Sequence, residues 1–308
     1  MAGPPLLHPQ GGTDDVCVRA GYPIAMDLTL PPDIDLTVAR ALAEDIGSGD
    51  LTANLVPGNA RGLARVITRE AAVLCGQAYV DAVYTALDPT VRVTWHATDG
   101  ELVAANQLLF EVEGPARALL TGERSALNLL QTLSATATAA HTYAAALEGT
   151  GCRVLDTRKT IPGLRHAQKY AVRCGGGKNH RLGLYDGILI KENHIAAAGS
   201  IGAAVATARA LSPHVPVEVE VETLEELEAA FAADADMALL DEFSLTDLRT
   251  AVRRNQQRTH PLGLEASGGV DLTTIRAIAE TGVDFVSVGA ITKHIRAVDL
   301  SMRLTLVS

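Results

Sequence analysis

The feature that most constrains the fold of this chain is a regular alternation of short strand-like runs and amphipathic segments after residue 150. The runs, rich in apolar residues, occupy 153–157, 187–191, 215–222, 237–241, 262–267 and 284–289. Helical patterns occupy 201–211, 224–233, 245–256 and 272–280. Strands that alternate with helices of about 10–15 residues indicate parallel βαβ units. Six or seven strands are fewer than a complete (β/α)₈ barrel needs, so we expect an incomplete α/β barrel.

Several of these helices carry recognisable boundary signals. Thr223 precedes Glu226 by three positions, and Ser244 stands in the same relation to Asp247. This spacing is typical of a capping box at a helix start. Gly282 follows the last helical pattern, where glycine commonly ends a helix.

The region before residue 150 has a different pattern. Residues 60–114 contain short alternating runs and turn signals such as Asp99-Gly100, which predict an antiparallel sheet. Residues 123–148 lack Gly and Pro and predict one long helix. The C-terminal residues alternate with period two, and we expect this strand, at about 298–308, to return to the N-terminal sheet. The predicted domains are a sandwich at 26–124 and a barrel at 125–297, after a flexible extension at 1–25.

Composition excludes several functional classes. The net charge of −10 disfavours general binding to nucleic acid or acidic membranes. No apolar run is long enough to span a membrane, and no secretory signal pattern is visible. The four cysteines are scattered without a C-x-x-C pair, which argues against a zinc site or a disulfide framework. We therefore expect a cytoplasmic protein.

Residues 153–191 form a basic segment, with nine Lys or Arg against two acids. A solvated helix face is the ordinary interpretation of such a run, and it accounts for three cations spaced by four. These are Arg165, Lys169 and Arg173. It does not account for Arg158-Lys159 or Lys191, which end strand-like runs. A local anion site accounts for them better, because ligands bind at the C-terminal ends of parallel strands.

Acidic residues also stand near the predicted strand ends. Glu218, Glu220 and Glu222 alternate with valines and so share one face of a strand. An exposed edge strand would also show this pattern, but this strand is central in the α/β series. Glu220 and Asp241 are candidates for ribose hydroxyls or a Mg²⁺-bound ligand. Glu218 is expected to pair internally with a basic residue.

Glycines complete the set of candidate residues. Ser267-Gly268-Gly269 follows one predicted strand and Gly289 ends the next, where backbone N–H groups approach phosphates. Gly175-Gly176-Gly177-Lys178 is not a P-loop, because Asn179 stands where Ser or Thr is required.

Two histidines and one further turn call for separate interpretations. His180, beside Arg181 in the basic segment, is a candidate ligand contact. His194 is expected to cap or pack near a strand end. Asp45, Gly47, Gly49 and Asp50 are interpreted as a structural turn.

These residues resemble a known family, the quinolinate phosphoribosyltransferases. The resemblance is carried by 155–165 (Leu-Asp-Thr-Arg-Lys-Thr-Ile-Pro-Gly-Leu-Arg), by 175–181 (Gly-Gly-Gly-Lys-Asn-His-Arg) and by 190–194 (Ile-Lys-Glu-Asn-His). Further matching stretches are 44–52, 122–128, 218–222, 240–241, 265–269 and 287–290. They keep the family's order between about residues 35 and 300. The family often has Asp-Asn-Phe where this chain has Asp241-Glu242-Phe243.

The resemblance implies an N-terminal open α/β sandwich joined to an incomplete α/β barrel, in a homodimer or higher oligomer. It implies that quinolinate and phosphoribosyl pyrophosphate react to give nicotinate mononucleotide, pyrophosphate and CO₂, with Mg²⁺ held by Glu220 and Asp241 directly or through substrate. Lys159, Lys191, Glu220 and Asp241 are the implied catalytic residues. The same four residues also bind substrate, with Thr157, Arg158, His180, Arg181, Ser267, Gly268, Gly269, Val288, Gly289, Ala290 and Arg124 from the neighbouring subunit.

Three alternatives stay open from the sequence. A related phosphoribosyltransferase would act on another pyridine such as nicotinate. A phosphate-binding barrel enzyme such as an aldolase would use a Schiff-base lysine. A non-catalytic sensor would bind phosphoribosyl pyrophosphate without turnover.

Overall fold

A computed structural model describes residues 28–307, so the predicted extension at 1–25 lies outside the described residues. The described chain forms two units. The parallel unit comprises Ala145–Thr157 and Lys178–Val288, and the antiparallel unit comprises Leu28–Ala144, Arg158–Gly177 and residues 289–307. The domain bounds expected from the sequence, 26–124 and 125–297, remain predictions.

The antiparallel unit begins with a helix and contains two sheets. Its elements are α1 (Ile34–Ile46), a 3₁₀ turn (Ala53–Leu55), β1 (Arg61–Thr68), β2 (Ala72–Val73), α2 (Gln77–Leu87), β3 (Arg92–Trp95), β4 (Leu102–Val103), β5 (Leu108–Pro115) and most of α3 (Ala116–Ala146). It also holds α4 (Arg165–Cys174), α10 (Ala290–Lys293) and β12 (Leu300–Val307). The larger sheet has the order β12-β1-β5-β3, and β2 pairs with β4.

Alternation of side chains explains this sheet. Ala64 and Val66 of β1 are fully buried, while Arg65 between them is exposed, as one face packs on the core. β12 pairs antiparallel with β1 along its whole length, from Leu300 opposite Thr68 to Val307 opposite Arg61. The expectation that the C-terminal strand returns to the N-terminal sheet is therefore confirmed.

The parallel unit contains six strands, within the six or seven expected. They are β6 (Arg153–Leu155), β7 (Ile188–Ile190), β8 (Val217–Val221), β9 (Met237–Asp241), β10 (Gly263–Ser267) and β11 (Phe285–Ser287). The order is β6-β11-β10-β9-β8-β7, and all five pairings between neighbouring strands are parallel. The intervening helices are α5 (Glu192–Ala198), α6 (Ile201–Leu211), α7 (Leu224–Ala232), α8 (Leu245–Gln256) and α9 (Ile275–Ala279).

Both predicted helix starts are confirmed. The Thr223 hydroxyl accepts the Glu226 N–H at 3.1 Å, and the Ser244 hydroxyl accepts the Asp247 N–H at 3.2 Å. The long helix was predicted to begin at residue 123, but α3 starts seven residues earlier, at Ala116. The helix predicted at 272–280 is longer than the one observed, since α9 covers only five residues.

The interpretation of α4 as a solvated face is wrong for one residue. Lys169 is fully buried, whereas Arg165 and Arg173, one turn away on either side, are half-buried. Spacing by four shows that three side chains share a face, but it does not show what that face packs against.

The glycines after α4 close its C-terminus tightly. A Cβ on Gly175 would collide with the carbonyl oxygen of Ala137 in α3, and Gly176 has a φ of +87°. The Gly177 N–H donates to the Val172 carbonyl at 3.0 Å, as in a glycine-terminated helix.

None of the helices in residues 28–307 has both the length and the apolar character that crossing a membrane requires.

Candidate active site

The candidate site residues of the parallel unit lie where its strands end. Lys191 follows β7, Glu220 is the penultimate residue of β8, and Asp241 and Ser267 end β9 and β10. Asp241 and Ser267 are paired in register across β9 and β10. All four are half-buried, so each combines a fixed backbone with an accessible polar group. This edge is the one where ligands bind in parallel α/β sheets.

Burial of the three acids of β8 changes along the strand. Glu218 is buried, Glu220 is half-buried, and Glu222, just beyond the strand, is exposed. The strand lies between β7 and β9, so the alternative of an exposed edge strand is wrong. The acids run from the interior of the sheet to its ligand-binding edge.

Lys191 and Glu220 form an ion pair at this edge. The Lys191 Nζ contacts Glu220 Oε2, and the lysine side chain keeps 43% exposure. The Lys191 backbone is held by His194, whose Nδ1 accepts the Lys191 N–H at 2.9 Å. His194 therefore caps α5, as expected, and fixes the start of the lysine side chain.

Asp156 anchors the start of the segment Lys178–Arg181. It is fully buried directly after β6. Its Oδ1 accepts the His180 N–H at 2.8 Å, and its Oδ2 accepts the Asn179 Nδ2 at 2.7 Å. A carboxylate inside the sheet thus holds the backbone that carries the basic side chains.

His180 faces two buried acids. Its Nε2 lies 2.8 Å from Glu218 Oε2 and 3.6 Å from Glu265 Oε2, and its Nδ1 accepts the Arg181 N–H at 2.8 Å. Glu218 therefore pairs internally, as expected, but its partner is the imidazole of His180 and not a Lys or Arg of the basic segment. Because Nδ1 accepts, the proton stands on Nε2 and is donated to Glu218. The predicted contact of His180 with substrate remains a prediction.

Arg181 and Thr157 are both half-buried. The Arg181 guanidinium donates to the Gly187 carbonyl oxygen at 2.9 Å, just before β7. Thr157 directly follows Asp156, so its backbone is adjacent to the buried carboxylate that anchors this segment.

The Ser-Gly-Gly turn after β10 has backbone conformations that favour glycine. Gly268 and Gly269 have φ values of +96° and +56°. Glu242 of the neighbouring loop packs against this turn, so that a Cβ on Gly268 would lie 2.6 Å from Glu242 Cδ. The Glu242 N–H donates to the Ser267 carbonyl at 3.0 Å. Directly after β11, Val288 is buried and its N–H donates to the Leu155 carbonyl at 2.9 Å.

The antiparallel unit holds the remaining predicted site residues. Arg158 is half-buried, and its Nε is buried with no hydrogen-bond partner among the residues described. Lys159 is exposed, and its backbone carbonyl accepts the Thr292 hydroxyl at 2.9 Å. Arg124 lies on α3 with a 68% exposed side chain, 3.0 Å from Glu123.

Gly289 and Ala290, also in the antiparallel unit, stand at the start of α10, where Gly289 is the N-cap.

Sequence reasoning missed two functional candidates, Asp156 and Glu265. Asp156 appeared only as an acid within a basic segment, and Glu265 as one polar residue within a strand-like run. A charged residue inside a buried strand is itself a signal, because such a group needs a partner.

The parallel α/β sheet, with cations, carboxylates and a glycine turn at its ligand-binding edge, places the chain among the α/β enzymes that bind phosphorylated anionic substrates. Comparison with known proteins narrows this class. Residues 136–303 match the quinolinate phosphoribosyl transferase C-terminal domain, and residues 50–134 match the N-terminal domain of the same family. The chain belongs to the quinolinate phosphoribosyltransferase family, and its activity is that of a phosphoribosyltransferase of NAD biosynthesis.

Individual relatives agree with this assignment. The probable carboxylating nicotinate-nucleotide pyrophosphorylase of Bacillus subtilis is 42% identical over 85% of this chain and 90% of its own length. The structure of nicotinate-nucleotide pyrophosphorylase from Francisella tularensis is 49% identical, with a TM-score of 0.86 over 90% of this chain and 98% of its own. The structure of NadC from Streptococcus pyogenes is 40% identical, with a TM-score of 0.87 over 92% of this chain and 100% of its own.

The backbone at Glu242 gives a stability prediction. Its φ of +54° lies in the left-handed region, where Asn is better tolerated than Glu. Glu242→Asn should raise the free energy of unfolding by up to about 1 kcal/mol. Urea denaturation measures this change. Glu222→Gln is the control, since Glu222 is exposed beyond a neighbouring strand and lacks a positive φ. A lower stability for Glu242→Asn would contradict the strain argument.

Proposed function

We propose that this chain transfers the phosphoribosyl group of phosphoribosyl pyrophosphate to quinolinate, releasing pyrophosphate and CO₂ and forming nicotinate mononucleotide. The observation that carries the proposal is that residue types suited to each chemical group of these substrates occupy strand ends and adjoining loops, in a chain that matches both domains of the family.

The carboxylates of quinolinate are assigned to basic residues. Arg forks bind carboxylates through two parallel hydrogen bonds, and Lys supplies a compact charge. Arg158 is supported by its buried Nε, a donor without a partner among the described residues. The other assigned residues are Arg124, Lys159, His180 and Arg181.

The ribose is assigned to the acids at the ends of β8 and β9. Glu220 and Asp241 would accept hydrogen bonds from the hydroxyls and stabilise the positive charge that develops at the anomeric carbon. Lys191, which pairs with Glu220 at the strand ends, is assigned to both quinolinate and the pyrophosphate that leaves. Lys159, Lys191, Glu220 and Asp241 are accordingly the proposed catalytic residues.

The 5′-phosphate is assigned to residues of three loops. Gly268 and Gly269 both have positive φ after β10, and glycine turns of this kind can present backbone N–H groups to an anion. The assigned residues are Thr157, Ser267, Gly268, Gly269, Val288, Gly289 and Ala290.

These assignments describe a reaction driven by positioning and charge. The pyridine nitrogen attacks the anomeric carbon as pyrophosphate leaves, and the cationic ring then stabilises the electron pair of the breaking C–COO⁻ bond. After CO₂ leaves, the ring carbon takes up a proton from solvent to give nicotinate mononucleotide. No protein nucleophile is required.

Magnesium fits the donor atoms of the proposed site. Glu220 and Asp241 supply carboxylate oxygens of the kind that Mg²⁺ prefers. One oxygen of Glu220 already accepts from Lys191, which favours an ion held mainly through the substrate. When bound, the ion would neutralise charge on the pyrophosphate leaving group.

A homodimer is part of the proposal, with Arg124 donated to the partner's site, and a higher oligomer is compatible with it. Arg124 is well exposed, and Asp50 Oδ2 accepts the Thr121 hydroxyl one turn before it at 2.8 Å. Leu51 and Leu55, near Asp50, are 86% and 83% exposed, as expected of an interaction surface.

We also propose a cytoplasmic location. It is supported by the three cysteines of the described residues, which are buried and form no disulfide.

Product release tests the function directly. Purified protein with quinolinate, phosphoribosyl pyrophosphate and Mg²⁺ should release pyrophosphate and CO₂ in equal amounts. Turnover of nicotinate without CO₂ would favour the related transferase, and borohydride trapping of a carbonyl substrate would favour the aldolase. Binding of phosphoribosyl pyrophosphate with no release of either product would favour the sensor.

Substitution of Arg158 tests the carboxylate assignment. Arg158→Ala removes a charge-assisted donor fork, each bond of which is worth about 1.5–3 kcal/mol, so quinolinate binding should largely disappear. Isothermal titration calorimetry measures the affinity. Arg249→Ala is the control, because Arg249 is an exposed arginine on the surface of α8. Unchanged quinolinate affinity in Arg158→Ala would contradict the assignment.

A further inference from the structure

Beneath the ligand-binding edge, the parallel unit buries two carboxylates that the proposed chemistry does not use. Glu218 of β8 and Glu265 of β10 are 5% and 0% exposed, on the two strands that flank β9. Glu218 Oε1 and both oxygens of Glu265 have no hydrogen-bond partner among the described residues. Buried polar atoms of this kind require an explanation, because an unpaired buried charge is costly.

His180 supplies a donor to only one of these acids. Its Nε2 is at hydrogen-bond distance from Glu218, at 2.8 Å, and beyond it from Glu265, at 3.6 Å. Its Nδ1 is occupied as the acceptor of the Arg181 N–H. Two ionised carboxylates would therefore share one neutral imidazole in the sheet interior, which is unfavourable.

A proton on Glu265 resolves this arrangement. A neutral acid places no second charge beside Glu218 and gains an O–H donor, and one oxygen of Glu265 lies within 4.8 Å of one of Glu218. Burial, and then the neighbouring Glu218, raise the pKa of Glu265 to about 8, against the opposing effects of His180 and the Ser287 hydroxyl.

A divalent cation is the competing explanation, because one atom each of His180, Glu218 and Glu265 lies within 4.8 Å of the others. Metal ligation requires a deprotonated imidazole nitrogen. Here Nε2 carries the proton and stands at hydrogen-bond distance from Glu218, so the geometry favours a shared proton.

We propose that Glu265 is held as the neutral acid, that its O–H is the donor for Glu218, and that this carboxyl pair fixes the tautomer and orientation of His180. Glu218 and Glu265 are then positioning residues for the recognition of a dianionic pyridine substrate by His180 and Arg181. This inference rests on the proposed function, since its kinetic consequence is a change in quinolinate recognition.

Two substitutions of Glu265 distinguish the effect of its hydrogen-bond donor from the effect of its side-chain volume. Glu265→Gln keeps a neutral donor of the same shape, whereas Glu265→Leu keeps volume and removes the donor. The quinolinate KM should stay within about threefold in Glu265→Gln and rise on the order of tenfold in Glu265→Leu. The KM for phosphoribosyl pyrophosphate and kcat should change much less, because Glu220 and Asp241 are untouched.

Asp284→Asn is the matched control. Asp284 is another acid of the parallel unit whose pKa burial raises, to about 6, and its carboxylate accepts the Leu264 N–H at 2.9 Å. It precedes β11, at the strand edge opposite the site, so its substitution should leave the quinolinate KM unchanged.

A second measurement does not depend on turnover. Hydrogen exchange of the Arg181 amide, which donates to His180, should keep its protection in Glu265→Gln and lose it in Glu265→Leu. If the wild-type protein releases no product, the proposed function fails while amide exchange still tests the positioning.

Several results would overturn the inference. These are an unchanged quinolinate KM in Glu265→Leu, a tenfold rise in Glu265→Gln, or a stoichiometric divalent metal lost from both variants. If Glu265→Leu does not fold, the Glu265→Gln result alone decides.

Discussion

The candidate site depends on carboxylates that are buried inside the parallel unit and make no predicted contact with substrate. Asp156 accepts hydrogen bonds from the Asn179 side chain and the His180 N–H, and Glu218 accepts a hydrogen bond from the His180 ring. These bonds hold a basic segment in one conformation before any anion arrives. A site that is fixed in advance binds and stabilises charge without reorganisation, which is how an enzyme without a nucleophile accelerates a reaction.

Much of this arrangement follows from the sequence because it is local. Strand ends and the helix caps at Thr223 and Ser244 reflect periodicity or turn chemistry within a few residues. Period-two alternation likewise predicts that the last segment is a strand, although its partner, β1, lies far away in the chain. Burial is not local. Lys169 has the spacing of a surface residue and is fully buried, and Glu265 looks like an ordinary strand residue until β8 places Glu218 near it. The sequence cannot supply such contacts, because they depend on which elements pack together.

The candidate site also combines features that the local sequence predicts with features that depend on packing. Residue types that suit phosphate, ribose and carboxylate could be assigned from sequence and resemblance. The reason that His180 stands where it does could not, since its partners are 38 and 85 positions away in the chain. Glu242 shows the opposite case. Where the family's common pattern has Asn, this chain places Glu242 in a left-handed backbone conformation against the Gly268 turn, so the effect of this one difference is local.

The central claim is that buried acids set the protonation and orientation of His180. ¹⁵N NMR of the imidazole in the full-length protein at neutral pH tests it most directly. The structure predicts a neutral ring with a proton on Nε2 and an unprotonated, hydrogen-bonded Nδ1. An imidazolium, or a ring protonated on Nδ1, would contradict it.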